Sequence, residues 1–215
     1  MVDMRIYFIR HSETDCNKNH LFYGSLDVPV NETGAAQADR LAALLEDVRF
    51  DRIYASDMLR VHQTLDIVLK RNKAAQQEYP PVIVLPEIRE IDFGLWEGKT
   101  YDEISKAYPD DVAKWCNDWE NSTPTGGESF RHFISVRIKK AFFDIISDAL
   151  AHGMTEKTVL IASHNGVMQS MFAAIMNLEL KGVWHFQFEQ DAYSVVDFEC
   201  DNYTVRKINS REHAK

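Results

Sequence analysis

Short runs of consecutive apolar residues alternate along this chain with longer stretches whose apolar side chains recur every three or four positions. The first pattern is that of a buried β-strand and the second that of an amphipathic helix. Their alternation predicts an α/β fold with a mostly parallel central sheet flanked by helices. Residues 4–9 (Met-Arg-Ile-Tyr-Phe-Ile) read as a strand that ends in Arg10 and His11, and residues 158–162 (Thr-Val-Leu-Ile-Ala) as one that ends in Ser163, His164, Asn165 and Gly166. Residues 52–55 make a third, shorter strand. Capping side chains at 31–33 precede Ala35, Ala38, Leu41, Ala42 and Leu45, which share one helical face. After Ser56 and Asp57 a second helix is expected, with Leu59, His62, Leu65, Val68 and Leu69 in step and Arg60 in its first turn. The longest helix is expected over residues 129–151, from Phe130 and Phe133 through Arg137 and Phe142 to Leu150, and another over Val167 to Met176. Residues 192–198 and 203–208 read as late strands in a hairpin around Asp201 and Asn202, and the polar tail 210–215 is expected to fray.

Between Glu87 and Glu128 the pattern breaks into short pieces punctuated by Gly94, Gly98, Pro109, Pro124, Gly126 and Gly127. Thr100 and Glu103 have capping-box spacing, which starts one helix there. This stretch carries Phe93, Trp96, Tyr101, Tyr108, Trp115 and Trp119. Such aromatic density predicts a small satellite core, or a lid over a site, in a helical cap insertion at about residues 95–128.

Composition narrows the function classes. A chain of 215 residues fits one domain spanning 1–215, and it shows no internal repeat, low-complexity tract or linker. Its formal charge of −9 disfavours nucleic acid or an anionic membrane as partner, since both reward a basic face. Cys16, Cys116 and Cys200 are odd in number, far apart and without C-x-x-C spacing, so neither disulfides nor a structural zinc site is expected. With no basic segment leading into an apolar one and no run near the ~20 apolar residues of a membrane helix, a cytoplasmic protein is expected. Its oligomeric state is left open.

Two strand-end histidines, one of them beside an arginine, point to a phosphate site at the carboxyl edge of the sheet. Arg60 at a helix start and Glu90 in a loop strengthen that reading. On the residues alone, the favoured reading of Glu90 is a surface carboxylate paired with Arg89. For Glu13 and Asn17, loop hydrogen bonding stands beside ligand contact.

The string Arg10-His11-Ser12-Glu13-Thr14, with Asn17 three residues on, resembles the signature of the histidine phosphatase superfamily, the phosphoglycerate mutase-like fold. The resemblance runs on in order through Gly24, Asp27, Pro29, Thr33, Gly34, Gln37 and Ala38, then through Ser56, Asp57, Leu59, Arg60, Gln63 and Thr64. It continues through Arg89-Glu90-Ile91-Asp92-Phe93-Gly94 with Trp96-Glu97-Gly98, then Gly126-Gly127-Glu128-Ser129, and ends in Ser163-His164-Asn165-Gly166. Ser12 and Asn165 stand where members commonly have glycine.

The resemblance implies that His11 attacks phosphorus to form a phosphohistidine. Arg10, Arg60 and His164 would surround the phosphoryl oxygens, and Glu90 would act as acid and then base. Phosphate or substrate binding falls to Arg10, Asn17, Tyr23, Gly24, Arg60, His164 and Asn165, with no metal and no cofactor. The partner implied is a small phosphomonoester. From Glu90 to Phe130 there is no Arg, and Lys99, Lys106 and Lys114 are the only lysines among many acids. That cap is poorly suited to the second phosphate of a mutase. The Gly126–Ser129 stretch is similar to the α-ribazole phosphatase-like and broad-specificity phosphatase branch, so hydrolysis, with α-ribazole phosphate as one candidate substrate, is preferred over mutase-type transfer. A module that binds a phosphorylated ligand without turnover is the remaining rival, against which intact His11, Glu90 and His164 argue. The H-x-E of His11 and Glu13 lacks the P-C-x-x-C partner of a zinc deaminase, and no G-x-S-x-G of a serine hydrolase occurs.

Overall fold

The computed structural model describes residues 3–73, 79–151 and 157–214. Its centre is a six-stranded sheet built from β1 (Met4–Arg10), β2 (Arg52–Ala55), β3 (Val82–Val84), β4 (Lys157–Ser163), β5 (Tyr193–Glu199) and β6 (Asn202–Ser210), in the order β3-β2-β4-β1-β5-β6. The first four neighbours pair in parallel, and β5 and β6 add an antiparallel edge. The helices are α1 (Asp15–Lys18), α2 (Glu32–Leu45), α3 (Leu59–Arg71), α4 (Tyr101–Ala107), α5 (Pro109–Asn117), α6 (Phe130–His132), α7 (Lys139–Ala151) and α8 (Asn165–Ile175).

Both faces of the sheet are covered, which is why its central strands are continuous apolar runs. Tyr7, Ile9, Ile53, Leu160 and Ala162 pack with Leu41, Leu45, Val61 and Leu65 of α2 and α3. The alternate residues Ile6, Phe8, Val159 and Ile161 pack with Ile138, Phe142, Met168 and Phe172 of the opposite helical layer. No helix among the described residues is long and apolar enough to cross a membrane.

Several expectations are corrected. In α3 the buried set is Arg60, Val61, Thr64, Leu65 and Val68, while Leu59 is exposed, because the helix turns Arg60 inward. Residues 129–151 form α6 and α7 joined by a π-helical turn, Phe133–Ile138, with Ser129 as the cap. The hairpin turns one residue earlier than expected, at Cys200 and Asp201, both with positive φ (49° and 59°), as a tight two-residue turn requires. The tail does not fray through residue 214. Ala214 is buried and its N–H donates to Leu44 O at 2.8 Å, while Glu212 O accepts from the Tyr193 hydroxyl at 3.0 Å. Lys215 lies outside the described residues. Strand β3, which follows Pro80 and Pro81, was not anticipated.

The capping box of Thr100 and Glu103 is present, and Trp96, Ile104 and Val112 make a satellite core with Phe22, Phe93, Tyr108 and Trp115. Tyr101 is exposed, and Trp119 packs on Phe130 and Trp184 instead.

Candidate active site

Parallel pairing of β1 with β4 sets Arg10 opposite Ser163, so the next residue of each strand-to-helix turn begins the site. The His11 N–H donates to Ser163 O at 2.9 Å, and the His11 and His164 rings stand 5.2 Å apart. The His11 side chain lies 2.9 Å through Nδ1 from the Ser12 carbonyl. A carbonyl only accepts, so Nδ1 carries the proton and Nε2 keeps its lone pair. Burial first, then the Arg60 and Arg10 guanidiniums, pushes the imidazole well below its ordinary pKa and keeps it neutral.

His164 caps α8, is fully buried, and contacts the Ser56 hydroxyl through Nε2 at 2.9 Å. Burial, followed by Arg60, His11 and Arg10, pushes it well down too. If Ser56 donates to Nε2, Nδ1 is left as an N–H donor.

Arg60 is fully buried, yet no carboxylate lies within ion-pair distance of it among the described residues. Its guanidinium donates to Gly24 O (2.8 Å) and Leu26 O (2.9 Å) and lies 4.8 Å over the Tyr23 ring. Arg10 donates to Phe188 O at 2.9 Å. Burial lowers both arginines from their ordinary range, and a guanidinium stays charged in proteins. Buried charge without a counter-ion is costly, so this arrangement favours an anion. Among the described residues six buried side-chain polar atoms lack a partner, and four of them are Arg10 Nε, Ser12 Oγ, Arg60 Nε and His164 Nδ1.

Glu90 accepts from the Gly166 N–H at 3.0 Å and from its neighbour Ile91 N–H at 3.2 Å. Burial raises its carboxyl pKa against the opposing pull of these two bonds and of Arg10 and Arg60. A Cβ on Gly166 would stand 2.4 Å from Glu90 Oε1, so the close approach needs glycine there. The surface pairing of Glu90 with Arg89 is not made, since Arg89 pairs with Asp57.

Asn17 Oδ1 accepts from Tyr23 OH (2.8 Å), Thr14 N (3.1 Å) and Gln190 Nε2 (2.9 Å), which orients the amide. Tyr23 touches both the His11 ring and Arg60. The polar groups of Gly24 are engaged within the protein, its N–H by Glu97 and its carbonyl by Arg60. Asn165 accepts from Phe188 N at 3.1 Å and so steadies the carbonyl that holds Arg10. Glu13 bonds Gln37 and Asn31, a loop role. Neither Ser12 nor Asn165 takes positive φ, so neither position uses the freedom of glycine.

Beside these groups lies a cavity of about 470 Å³ whose wall includes Asn17, Tyr23, Glu90 and Asn165 together with Phe93, Trp115, Phe130, Phe133 and Trp184. Among the described residues His20 is the one basic side chain of the cavity wall, which contains no Lys or Arg. His11, Arg10, Arg60 and His164 are not part of the wall either, and Tyr23, in contact with His11 and Arg60, links the two regions.

Sequence reasoning gave no role to Glu97, whose carboxylate gathers the N–H groups of Gly24, Ser25, Leu26 and Phe93 and so shapes the loop that binds Arg60. It also missed Phe188, which acts through a backbone oxygen that side-chain identity does not signal.

The model of the histidine phosphatase superfamily (branch 1) matches residues 6–211. The chain belongs to the histidine phosphatase superfamily. Among its relatives in the superfamily is the adenosylcobalamin/α-ribazole phosphatase of Salmonella typhimurium, 33% identical over 211 residues and matched over 97% of both chains. The crystal structure of the α-ribazole phosphatase from Shigella flexneri superposes with a TM-score of 0.88 at 32% identity, covering 99% of each chain. A 2,3-bisphosphoglycerate-dependent phosphoglycerate mutase of Xanthobacter autotrophicus is 27% identical over 210 residues, 96% of this chain and 98% of that one.

Proposed function

We propose that this histidine phosphatase hydrolyses a phosphomonoester whose leaving group is an apolar, ring-bearing alcohol, with α-ribazole 5′-phosphate the leading candidate. The observation that carries the reading is the set of four unpartnered buried polar atoms on Arg10, Ser12, Arg60 and His164, grouped about a neutral, tautomer-fixed His11.

In the first step His11 Nε2 attacks phosphorus while the bond to the leaving oxygen breaks, and Arg10, Arg60 and His164 stabilise the phosphoryl oxygens. Glu90, whose carboxyl pKa burial raises, gives its proton to the departing alkoxide. Water then attacks the phosphohistidine, loses a proton to the Glu90 carboxylate, and releases inorganic phosphate with His11 neutral again. Asn17, oriented through its oxygen, offers its amide N–H to the same phosphoryl group.

The cavity supports the choice of leaving group. Its aromatic wall suits the dimethylbenzimidazole of α-ribazole, and among the described residues it has no Lys or Arg to pair with the carboxylate of a phosphoglycerate or phosphoserine. Lys99 bonds Leu95 O, and exposed Lys114 lies near Asp111, which supports hydrolysis over mutase transfer. Burying about 100 Å² of ring at ~25 cal/mol per Å² is worth ~2.5 kcal/mol, roughly seventyfold in specificity. The test is kcat/KM on α-ribazole 5′-phosphate, 3-phosphoglycerate and phosphoserine. A preference of tenfold or more for the first is expected. An equal or reversed preference refutes the assignment, and 2-phosphoglycerate formed faster than phosphate from 3-phosphoglycerate with bisphosphoglycerate present replaces it with a mutase.

A further inference from the structure

The π-helical turn Phe133–Ile138 carries Arg137, whose guanidinium serves the loop that bears Glu90 rather than its own helix. Nη1 donates to the carbonyls of Glu87 (2.7 Å) and Arg89 (2.9 Å), and Nη2 to the carbonyl of Glu90 (3.2 Å). Nε and Nη2 also hold the Glu128 carboxylate in a fork at 2.9 and 2.6 Å, and the guanidinium lies 4.8 Å over the Phe133 ring.

One side chain therefore ties down three of the four carbonyls of residues 87–90, which begin in a 3₁₀ turn (Pro86–Ile88) and among the described residues have no sheet pairing. The fourth, of Ile88, accepts from the Ser163 hydroxyl at 2.7 Å. Among the described residues the Glu90 carboxyl has only the Gly166 and Ile91 N–H groups as hydrogen-bond partners, so its position depends on where that main chain is held. The Glu128 fork balances the guanidinium charge, so the clamp does not need to act by driving Glu90 toward ionisation. The extra residue of a π turn is a common device at functional sites, and here it places Arg137 and Phe133 in one stack facing the loop.

We infer that Arg137 is a positioning residue for Glu90, acting through the main chain of residues 87–90. The inference rests on the reading of Glu90 as the acid for the leaving group, and the experiment separates the two. Arg137→Lys, Glu90→Gln and the double variant are assayed on β-glycerol phosphate, a poor leaving group, and p-nitrophenyl phosphate, a good one.

Arg137→Lys should lower kcat about tenfold or more on the alkyl ester and less than about threefold on the aryl ester, and should move the alkaline limb of the alkyl pH profile. In the Glu90→Gln background the same change should cost almost nothing further on the alkyl ester, because the two residues act as one unit. Equal losses on both esters, additive with Glu90→Gln, would make Arg137 a scaffold residue only and overturn the inference. Should Glu90→Gln itself lose equally on both esters, the acid assignment falls and the inference with it. If Arg137→Lys does not fold, Glu128→Gln frees one side of the clamp. It must show the same leaving-group dependence to a smaller degree, and its absence counts against the inference.

Discussion

Acid sensitivity follows from the two buried imidazoles. His11 and His164 are both pushed well below the ordinary histidine pKa, mainly by burial. In the unfolded chain each takes up a proton near pH 6.5, so below that pH the unfolded state binds more protons than the native one. Stability is then fully present above pH 6.5 and falls as pH drops toward the folded-state values. The slope is about 1.4 kcal/mol per pH unit for each proton, or about 2.7 for the pair. Glu90 works the other way. Its folded pKa is raised, so its contribution is present below the ordinary carboxylate pKa and is lost as pH rises through the folded value. On acidification it offsets at most one proton, so below about pH 5.5, where both unfolded imidazoles are protonated and while the folded ones stay neutral, the three groups together lose about 1.4 to 2.7 kcal/mol per unit. Glu128 and Asp197 are lowered, and their contributions are lost only at more acidic pH. Urea unfolding of the wild type and of His164→Gln at pH 7, 6 and 5 measures this. The variant should be less stable at pH 7, and the gap should narrow by about 1.4 kcal/mol per unit below pH 6. A gap that stays constant with pH would refute the claim that burial holds His164 neutral.

Two further outcomes are expected. In Gly24→Ala the new Cβ would stand 1.6 Å from Ile91 O, so the loop must move and take the Gly24 carbonyl from Arg60. Inhibition by inorganic phosphate should weaken by about tenfold or more, the loss of a charged hydrogen bond, and unchanged inhibition would show that Arg60 does not depend on this loop. None of the proposed steps requires a metal ion, so hydrolysis should survive exhaustive chelation. Loss restored by a divalent ion would contradict the mechanism.

The apolar runs at β1 and β4 were legible because burial on both faces leaves little room for polar residues. Arg10, His11 and His164 could therefore be placed at strand ends from sequence alone. The sheet order that sets β1 against β4, and so His11 against His164, was not legible, since pairing partners 153 positions apart leave no local pattern. Glu90 was ambiguous for the same reason, because its environment comes from Gly166 and from the loop held by Arg137. The face of α3 was misjudged because Leu59 and Val61 both fit a 3.6-residue period, and only the carbonyls of Gly24 and Leu26 decide that Arg60 turns inward. The docking of the tail depends on Leu44 and Tyr193, far away in sequence, while its own composition reads as solvent-exposed.

The central claim is that phosphoryl passes through His11 Nε2. Rapid acid-free quench of the wild type with a labelled phosphomonoester, followed by tests of acid and base lability, measures it most directly. The account predicts a base-stable, acid-labile phosphoprotein in the wild type and none in a folded His11→Ala variant that has also lost turnover. A labelled intermediate that persists in His11→Ala, or near-normal turnover by that variant, would contradict it.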